Sequence, residues 1–230
     1  HYSMGGLWVD YDQMTEIPGL FAAGECDYSQ HGANRLGANS LLSAIYGGMV
    51  AGPNAVKYIK GLKKHAEDLP ETIFEARVKE ETEKWEAILK MDGTENAYLL
   101  HKELGEWMTD NMTVVRHNDR LEQTYEKLTE LQERWNNINV NDTQRWSNQG
   151  AHFVRQLKNM LYLAKVMTKG ALLRNESRGA HYKPEFPDRD DENFLKTTMA
   201  KFDPATGEPI ITYQEVDVSL IPPRKRDYSA

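Results

Sequence analysis

Gly24-Glu25-Cys26-Asp27-Tyr28-Ser29-Gln30-His31-Gly32-Ala33-Asn34-Arg35-Leu36-Gly37-Ala38-Asn39-Ser40-Leu41 is the stretch on which the reading of this chain turns. Before it comes a short apolar run, Gly19-Leu20-Phe21-Ala22-Ala23, compact enough for a buried strand. After it a helical pattern opens at Ser40-Leu41-Leu42, with Asn39 or Ser40 as the N-cap. Strand, loop and helix N-terminus is the order in which α/β proteins hold ligands. The loop carries Glu25, His31 and Arg35 beside Gly32 and Gly37. Such polar groups are costly to bury without partners, and a ligand is a natural partner. Taken alone, the loop also fits a capped surface turn.

The wording is more particular than that. Gly24-Glu25 followed by His31 to Leu41 resembles the flavoprotein subunit of succinate dehydrogenase and fumarate reductase, and so does His1-Tyr2-Ser3-Met4-Gly5-Gly6. Glu176-Ser177-Arg178-Gly179-Ala180-His181 is a further signature of the same family. The resemblance implies FAD as cofactor and the interconversion of succinate and fumarate by hydride transfer. Electrons would then pass to an iron–sulfur subunit, a membrane anchor subunit and quinone. It implies that His1 and Arg35 bind the substrate carboxylates. It also implies that Glu25 takes flavin-chain hydroxyls while Ser40 and Leu41 face the flavin. On their own, His1 reads as an exposed terminal residue, Glu25 as a paired loop carboxylate and Gly5-Gly6 as a turn; with a planar ring nearby, those glycines would let the backbone approach it closely.

The chain has 230 residues, 40% of them hydrophobic, and a net charge of −7. The acidic balance disfavours nucleic acid, which requires a concentrated basic face. The single cysteine, Cys26, excludes a disulfide framework and suggests a reducing compartment. No apolar run approaches the ~18 residues of a membrane span. One histidine with scattered carboxylates near residue 181 lacks zinc or iron spacing, so no metal is expected there.

Residues 1–24 read as strands and turns. The helix begun at Ser40 continues toward Leu62, with Pro53 at a kink or fresh start. Gly47, Gly48 and Gly52 suggest close packing of that helix on a neighbour. Helical periodicity with dense charge covers 71–92, 94–112, 116–137 and 143–175, the last capped at Asp142-Thr143. Leu121, Tyr125, Leu128, Leu131 and Trp135 share one face, as do Phe153, Leu157, Leu161 and Met167. Trp85, Trp107, Trp135 and Trp146 read as core. Arg178 and His181 read as a structural ion-pair corner. Residues 199–218 alternate as a hairpin about Pro204-Ala205-Thr206-Gly207.

The fold expected is mostly α with a small α/β N-terminal part. Residues 1–65 would end an FAD-binding domain, 66–180 form a helical bundle, and 181–230 make a C-terminal extension with the hairpin. The tail through Pro222-Pro223-Arg224-Lys225-Arg226 resembles the bacterial menaquinone-linked type, placing the protein on the cytoplasmic face of the cell membrane through its partner subunits. The chain lacks a Gly-x-Gly-x-x-Gly fingerprint, a histidine motif for covalent flavin attachment and the family's proton-transferring arginine motif. All three lie upstream in the family, so no catalytic residue is assigned. The chain reads as the C-terminal part of a longer protein, expected alone neither to retain FAD nor to oxidise succinate. Two alternatives are an L-aspartate oxidase-like flavoenzyme, against which the long tail argues, and a non-catalytic partner-binding helical module at residues 66–230.

Overall fold

The computed structural model describes residues 2–224, which fall into two compact units divided between Leu89 and Lys90. His1 and the basic Lys225-Arg226 of the tail lie outside the described residues.

The first unit opens with irregular chain rather than strands. Leu7 bridges Asp27, Met14 bridges Phe21, and a 3-10 turn spans Gly24–Cys26. The expected strand at 19–23 is reduced to that one bridge. The cause is local turn chemistry: Asp10 Oδ1 accepts from the Asp12 and Met14 N–H groups, and Thr15 Oγ1 from that of Ile17. These side-chain bonds compete with ladder formation. Two helices follow, α1 (Asn39–Gly61) and α2 (Glu71–Leu89). Helix α1 continues through Pro53 rather than restarting there. Proline withholds one donor from the ladder, and Asn54 Nδ2 adds a bond to the Val50 carbonyl beside the gap. Of the three glycines expected to pack closely, only Gly47 does. A Cβ there would stand 3.2 Å from the Ala23 Cβ and the Gly24 nitrogen, whereas Gly48 and Gly52 face open space. Helix α2 begins directly after Pro70, with Arg77 and Lys84 paired to Glu80 and Glu81 along its exposed face.

The second unit packs three helices, α3 (Ala97–Met112), α4 (Asn118–Trp135) and α5 (Gln149–Leu173). On α4 the residues Leu121, Thr124, Leu128, Leu131 and Trp135 are all buried. Their alternating spacing of three and four is the geometry of a narrow apolar seam. Helix α4 packs on both α3 and α5, whose buried residues include Leu100 and Leu104 and Val154, Leu157 and Leu161, and Trp135 Nε1 donates to the Val154 carbonyl at 2.8 Å. Arg134 clamps the outside of this seam, binding both oxygens of Glu95 and one of Glu103. Gly93 lets the loop before α3 touch the Asn137 carbonyl, which a Cβ would meet at 2.0 Å.

Helix α5 starts six residues later than its periodicity suggests. Asn148 is its N-cap, accepting from Ala151 N–H at 2.8 Å. Asp142 instead folds an Asx turn onto Gln144, and its carbonyl accepts from Asn148 Nδ2. Trp146 therefore sits in a loop at 87% exposure and is not core. Met167, expected on the buried face of α5, is exposed, and Trp85 and Trp107 are half-buried.

Beyond α5 come a four-residue helix, α6 (Asp191–Phe194), and the antiparallel hairpin of β1 (Lys196–Asp203) and β2 (Glu208–Glu215), in register from Lys196↔Glu215 to Asp203↔Glu208. The turn is Pro204 to Gly207, with Gly207 at φ +71°. No helix among the described residues is long and apolar enough to cross a membrane.

Residues 174–191 bring cations to helix C-termini, where carbonyls lack partners and the dipole is negative. Lys183 is completely buried and donates to the Leu172 carbonyl and Asn175 Oδ1; burial pushes its ammonium down to about 8. Arg116 Nε donates to the Met112 carbonyl that ends α3. Arg178 is ion-paired as expected, to Glu176 and Asp191. His181 is not an ion-pair member. Its Nδ1 faces Arg116 Nη1 at 2.6 Å and so accepts, while its Nε2 donates to the Arg174 carbonyl at 2.9 Å. Burial, with Arg116 beside it, pushes the imidazole down to about 4. The unfolded chain therefore binds the extra proton first as pH falls. The stability held by neutral His181 is fully present above ~6.5 and is lost as pH drops from there to about 4, at most ~3 kcal/mol. Urea midpoints measured from about pH 7.5 to 4.5 are expected to fall in the parent and to fall less steeply in His181→Asn; parallel curves would remove His181 as the cause.

Candidate functional site

The head of α1 gathers the residues singled out in the sequence. Helix α1 begins at Asn39, and its N-cap is neither Asn39 nor Ser40 but Ala38, in the left-handed region at φ +64°. Alanine offers no side-chain acceptor, and the cap position makes no side-chain bond to the helix. The first turn also lacks an acidic residue. Its N–H groups at Ser40 and Leu41 thus keep the positive potential of a helix N-terminus without a carboxylate to quench it. Ser40 is half-buried, and Leu41 is 74% exposed.

One turn into the helix, Ser43 is buried and organises the loop. Its Oγ gives its only proton to the Ser40 carbonyl at 2.8 Å. It must therefore accept from both His31 Nε2, at 2.9 Å, and the Tyr2 hydroxyl, at 3.3 Å. The Tyr2 and His31 rings pack edge to face at 4.8 Å, and the Arg35 guanidinium lies 5.6 Å from the Tyr2 ring centre. Arg35 Nη1 donates to the Leu36 carbonyl at 3.2 Å, and the residue has no carboxylate partner among the described residues. Most of its planar fork of donors is left for an anion. Glu25 is exposed and accepts from the Ser3 N–H at 2.8 Å through Oε1. That bond fixes the carboxylate and leaves its second oxygen as an acceptor.

Arg35, Glu25, Ser40 and Leu41 thus share one loop and helix head, while His1 lies outside the described residues. Tyr2, Ser43 and Gln13 were not singled out by the sequence. Ser43 stands four residues after Asn39 and so shares its helix face, a signal that was available. Gln13 was not accessible in that way. Its buried amide, with nitrogen toward Asp27 Oδ2 and the Ala22 carbonyl, ties segments far apart in sequence.

Gly6 serves a contact different from the one expected. A Cβ on it would stand 2.3 Å from the Cys26 carbonyl oxygen, so its bareness lets residues 6–7 pair with 26–27 and present Glu25. Among the described residues, His117, Asp119 and Glu185 are a group with metal-type donors, all within 4.8 Å of one another. Its geometry is explained by capping of α4: Glu185 accepts from His117 Nδ1 and from the Asn118 N–H, and its carboxyl is lowered first by its own backbone N–H and then by these two groups.

Comparison with known proteins places these features in a family context. The family model described as fumarate reductase flavoprotein C-term matches residues 101–228, and an FAD binding domain model matches residues 1–41. The succinate dehydrogenase flavoprotein subunit of Bacillus subtilis is 71% identical over 100% of this chain, which covers 39% of that protein. The fumarate reductase flavoprotein subunit of Haemophilus influenzae is 36% identical over 100% of the chain and 38% of its own length. A solved structure of Escherichia coli quinol fumarate reductase FrdA superposes with a TM-score of 0.91 at 35% identity, over 98% of this chain and 38% of that one. The chain therefore spans about two fifths of the length of the relatives it matches.

The Gly6–Cys26 contact generates a stability test. Overpacking at a backbone contact costs typically ~1–3 kcal/mol, so Gly6→Ala is expected to lower the denaturation midpoint of the full chain. Gly37→Ala, where a Cβ meets nothing within 4 Å, should leave it in place. Equal midpoints in all three proteins would contradict the close approach.

Proposed function

The chain belongs to the fumarate reductase flavoprotein C-terminal family, and on that premise we propose that it is part of a flavoprotein oxidoreductase interconverting succinate and fumarate with FAD. The observation that carries the reading is the set of unmatched groups at the head of α1. Among the described residues, Arg35 is a guanidinium without a carboxylate partner, Glu25 keeps one acceptor oxygen, and the helix N-terminus has no side-chain cap bond. A dicarboxylate, a hydroxylated cofactor chain and a flavin edge that gains negative charge match these three in turn.

Oxidation of succinate removes a hydride from one methylene and a proton from the next, and bound FAD supplies the hydride acceptor. Arg35, with His1, holds the substrate carboxylates so that the reacting carbons are fixed. Glu25 holds cofactor hydroxyls through its open oxygen while Ser3 N–H steadies the other. The Ser40 and Leu41 N–H groups stabilise negative charge beside them without needing a proton. Tyr2, His31 and Ser43 brace the loop from beneath, so Arg35 is held over the Tyr2 ring rather than wandering in solvent. Electrons leave for an iron–sulfur subunit and a membrane anchor, and the protein sits peripherally on the cytoplasmic face of the bacterial membrane through those partners.

Arg35→Lys in the intact protein tests the reading. Lysine keeps the charge but is a compact point donor that cannot form two parallel bonds. Flavin content should stay near normal, while kcat/KM for succinate falls at least about 100-fold through misplacement of the substrate. Lost flavin with normal kinetics in the remaining holoenzyme would make Arg35 a structural residue instead.

A further inference from the structure

A guanidinium that is to seat a carboxylate against a flavin must be aimed, and the bond from Arg35 Nη1 to the Leu36 carbonyl at 3.2 Å does not aim it. That carbonyl belongs to the next residue of the same loop, so it moves with Arg35 and fixes no direction against the rest of the site. A second contact is of another kind. The Arg35 guanidinium carbon lies over the Tyr2 ring, 5.6 Å from its centre, within the ~6 Å at which a ring face attracts a cation. A carboxylate in that place would neutralise the guanidinium and occupy its paired donors. A ring face attracts the charge and leaves it uncancelled.

Tyr2 can act as a platform because its own ring is fixed. The residue is half-buried. The His31 ring meets it edge to face at 4.8 Å and 88°. His31 Nε2 donates to Ser43 Oγ at 2.9 Å, and Ser43 Oγ donates to the Ser40 carbonyl at 2.8 Å. The Tyr2 hydroxyl reaches the same Oγ by a longer bond of 3.3 Å. Ser43 is 5% exposed and lies within α1. The ring beneath Arg35 is thereby referred to the helix whose first-turn N–H groups are the proposed seat of the flavin edge. Tyr2 also follows His1 directly in the chain, so both proposed carboxylate holds depend on one residue.

We propose that Tyr2 is a positioning residue: its ring aims the Arg35 guanidinium and registers it, through His31 and Ser43, against the head of α1. The inference rests on the proposed roles of Arg35 and of that helix head. Hydride transfer demands that the reacting atoms meet at about 3–3.5 Å. Arg35 freed from the ring keeps its charge and still attracts a dicarboxylate, but no longer fixes where the reacting carbon lies. The loss therefore falls on the chemical step rather than on binding.

Anaerobic stopped-flow mixing of the intact, flavin-loaded protein with succinate tests this, with the rate of flavin bleaching taken per bound flavin. In Tyr2→Leu the limiting rate is expected to fall at least about 10-fold. Its flavin content should stay near the parent's, and its half-saturating succinate concentration within about 3-fold. Tyr2→Phe keeps the ring and gives up only the long hydroxyl bond, so its rate should stay within about 3-fold of the parent's. Because Tyr2 acts through Arg35, Tyr2→Leu added to Arg35→Lys should cost less than about 3-fold beyond Arg35→Lys alone. A parent-like rate in Tyr2→Leu beside an impaired Arg35→Lys would overturn this inference alone. So would a raised half-saturating concentration with an unchanged limiting rate, a Phe variant as slow as the Leu variant, or losses that multiply in the double variant. Tyr2→Leu protein that has shed its flavin would make Tyr2 structural and overturn it too. A parent-like rate in Arg35→Lys would remove the underlying role of Arg35, and this inference with it.

Discussion

The Glu176 carboxylate is completely buried, and the C-terminal unit is assembled around it. Arg178 binds both its oxygens, Arg174 binds one, and the Asp190 N–H takes the other. Arg174 then donates to Thr198 Oγ1 and to the carbonyls of Phe194 and Lys196. One carboxylate thereby links the end of α5, the α6 turn and the first strand of the hairpin. A buried charge cluster of this kind is weak evidence of net stability, but removing one partner costs about 3–5 kcal/mol because the others are stranded. Geometry is what the cluster provides. It holds the 174–191 segment so that Lys183 reaches the carbonyl end of α5 and His181 stays neutral beside Arg116.

The N-terminal unit solves a different problem with fewer buried groups. Its helix α1 opens at Ala38 without a side-chain cap bond. A conventional Ser, Asn or Asp cap would spend an acceptor on the first-turn N–H groups. Ala38 in a left-handed conformation avoids that, and the loop is braced from Ser43 instead, a residue inside the helix. The cost is local backbone strain of about 1–2 kcal/mol at Ala38, of the kind found where a chain keeps groups ready for a ligand. The proposed roles of Glu25, Arg35, Ser40 and Leu41 rest on that arrangement.

Sequence periodicity was most informative where one rule acted alone. The α4 seam from Leu121 to Trp135 obeys a regular spacing, and the hairpin turns at Pro204 to Gly207 as its turn signal indicates, although its strands run from 196 to 215 rather than 199 to 218 and their burial does not alternate. Where two signals competed, the reading slipped. Asp142 and Asn148 are both good caps, and the structure uses the later one, which puts Trp146 in solvent. Asn39 and Ser40 are good caps too, yet neither is used. Pro53 normally interrupts a helix, but α1 continues through it. The tight approaches at Gly6 and Gly93 join residues far apart in sequence and leave no local trace. The family signatures, by contrast, were legible because they fix residue types in order rather than conformation.

The central claim is that the loop from Gly24 to Leu41 belongs to a flavoprotein that oxidises a simple dicarboxylate. The most direct measurement is anaerobic mixing of the intact, flavin-loaded protein with succinate or with L-aspartate, followed by absorbance of the oxidised flavin. The account predicts rapid bleaching by succinate and none by L-aspartate. Bleaching by L-aspartate alone, or a flavin that neither compound reduces, would contradict it.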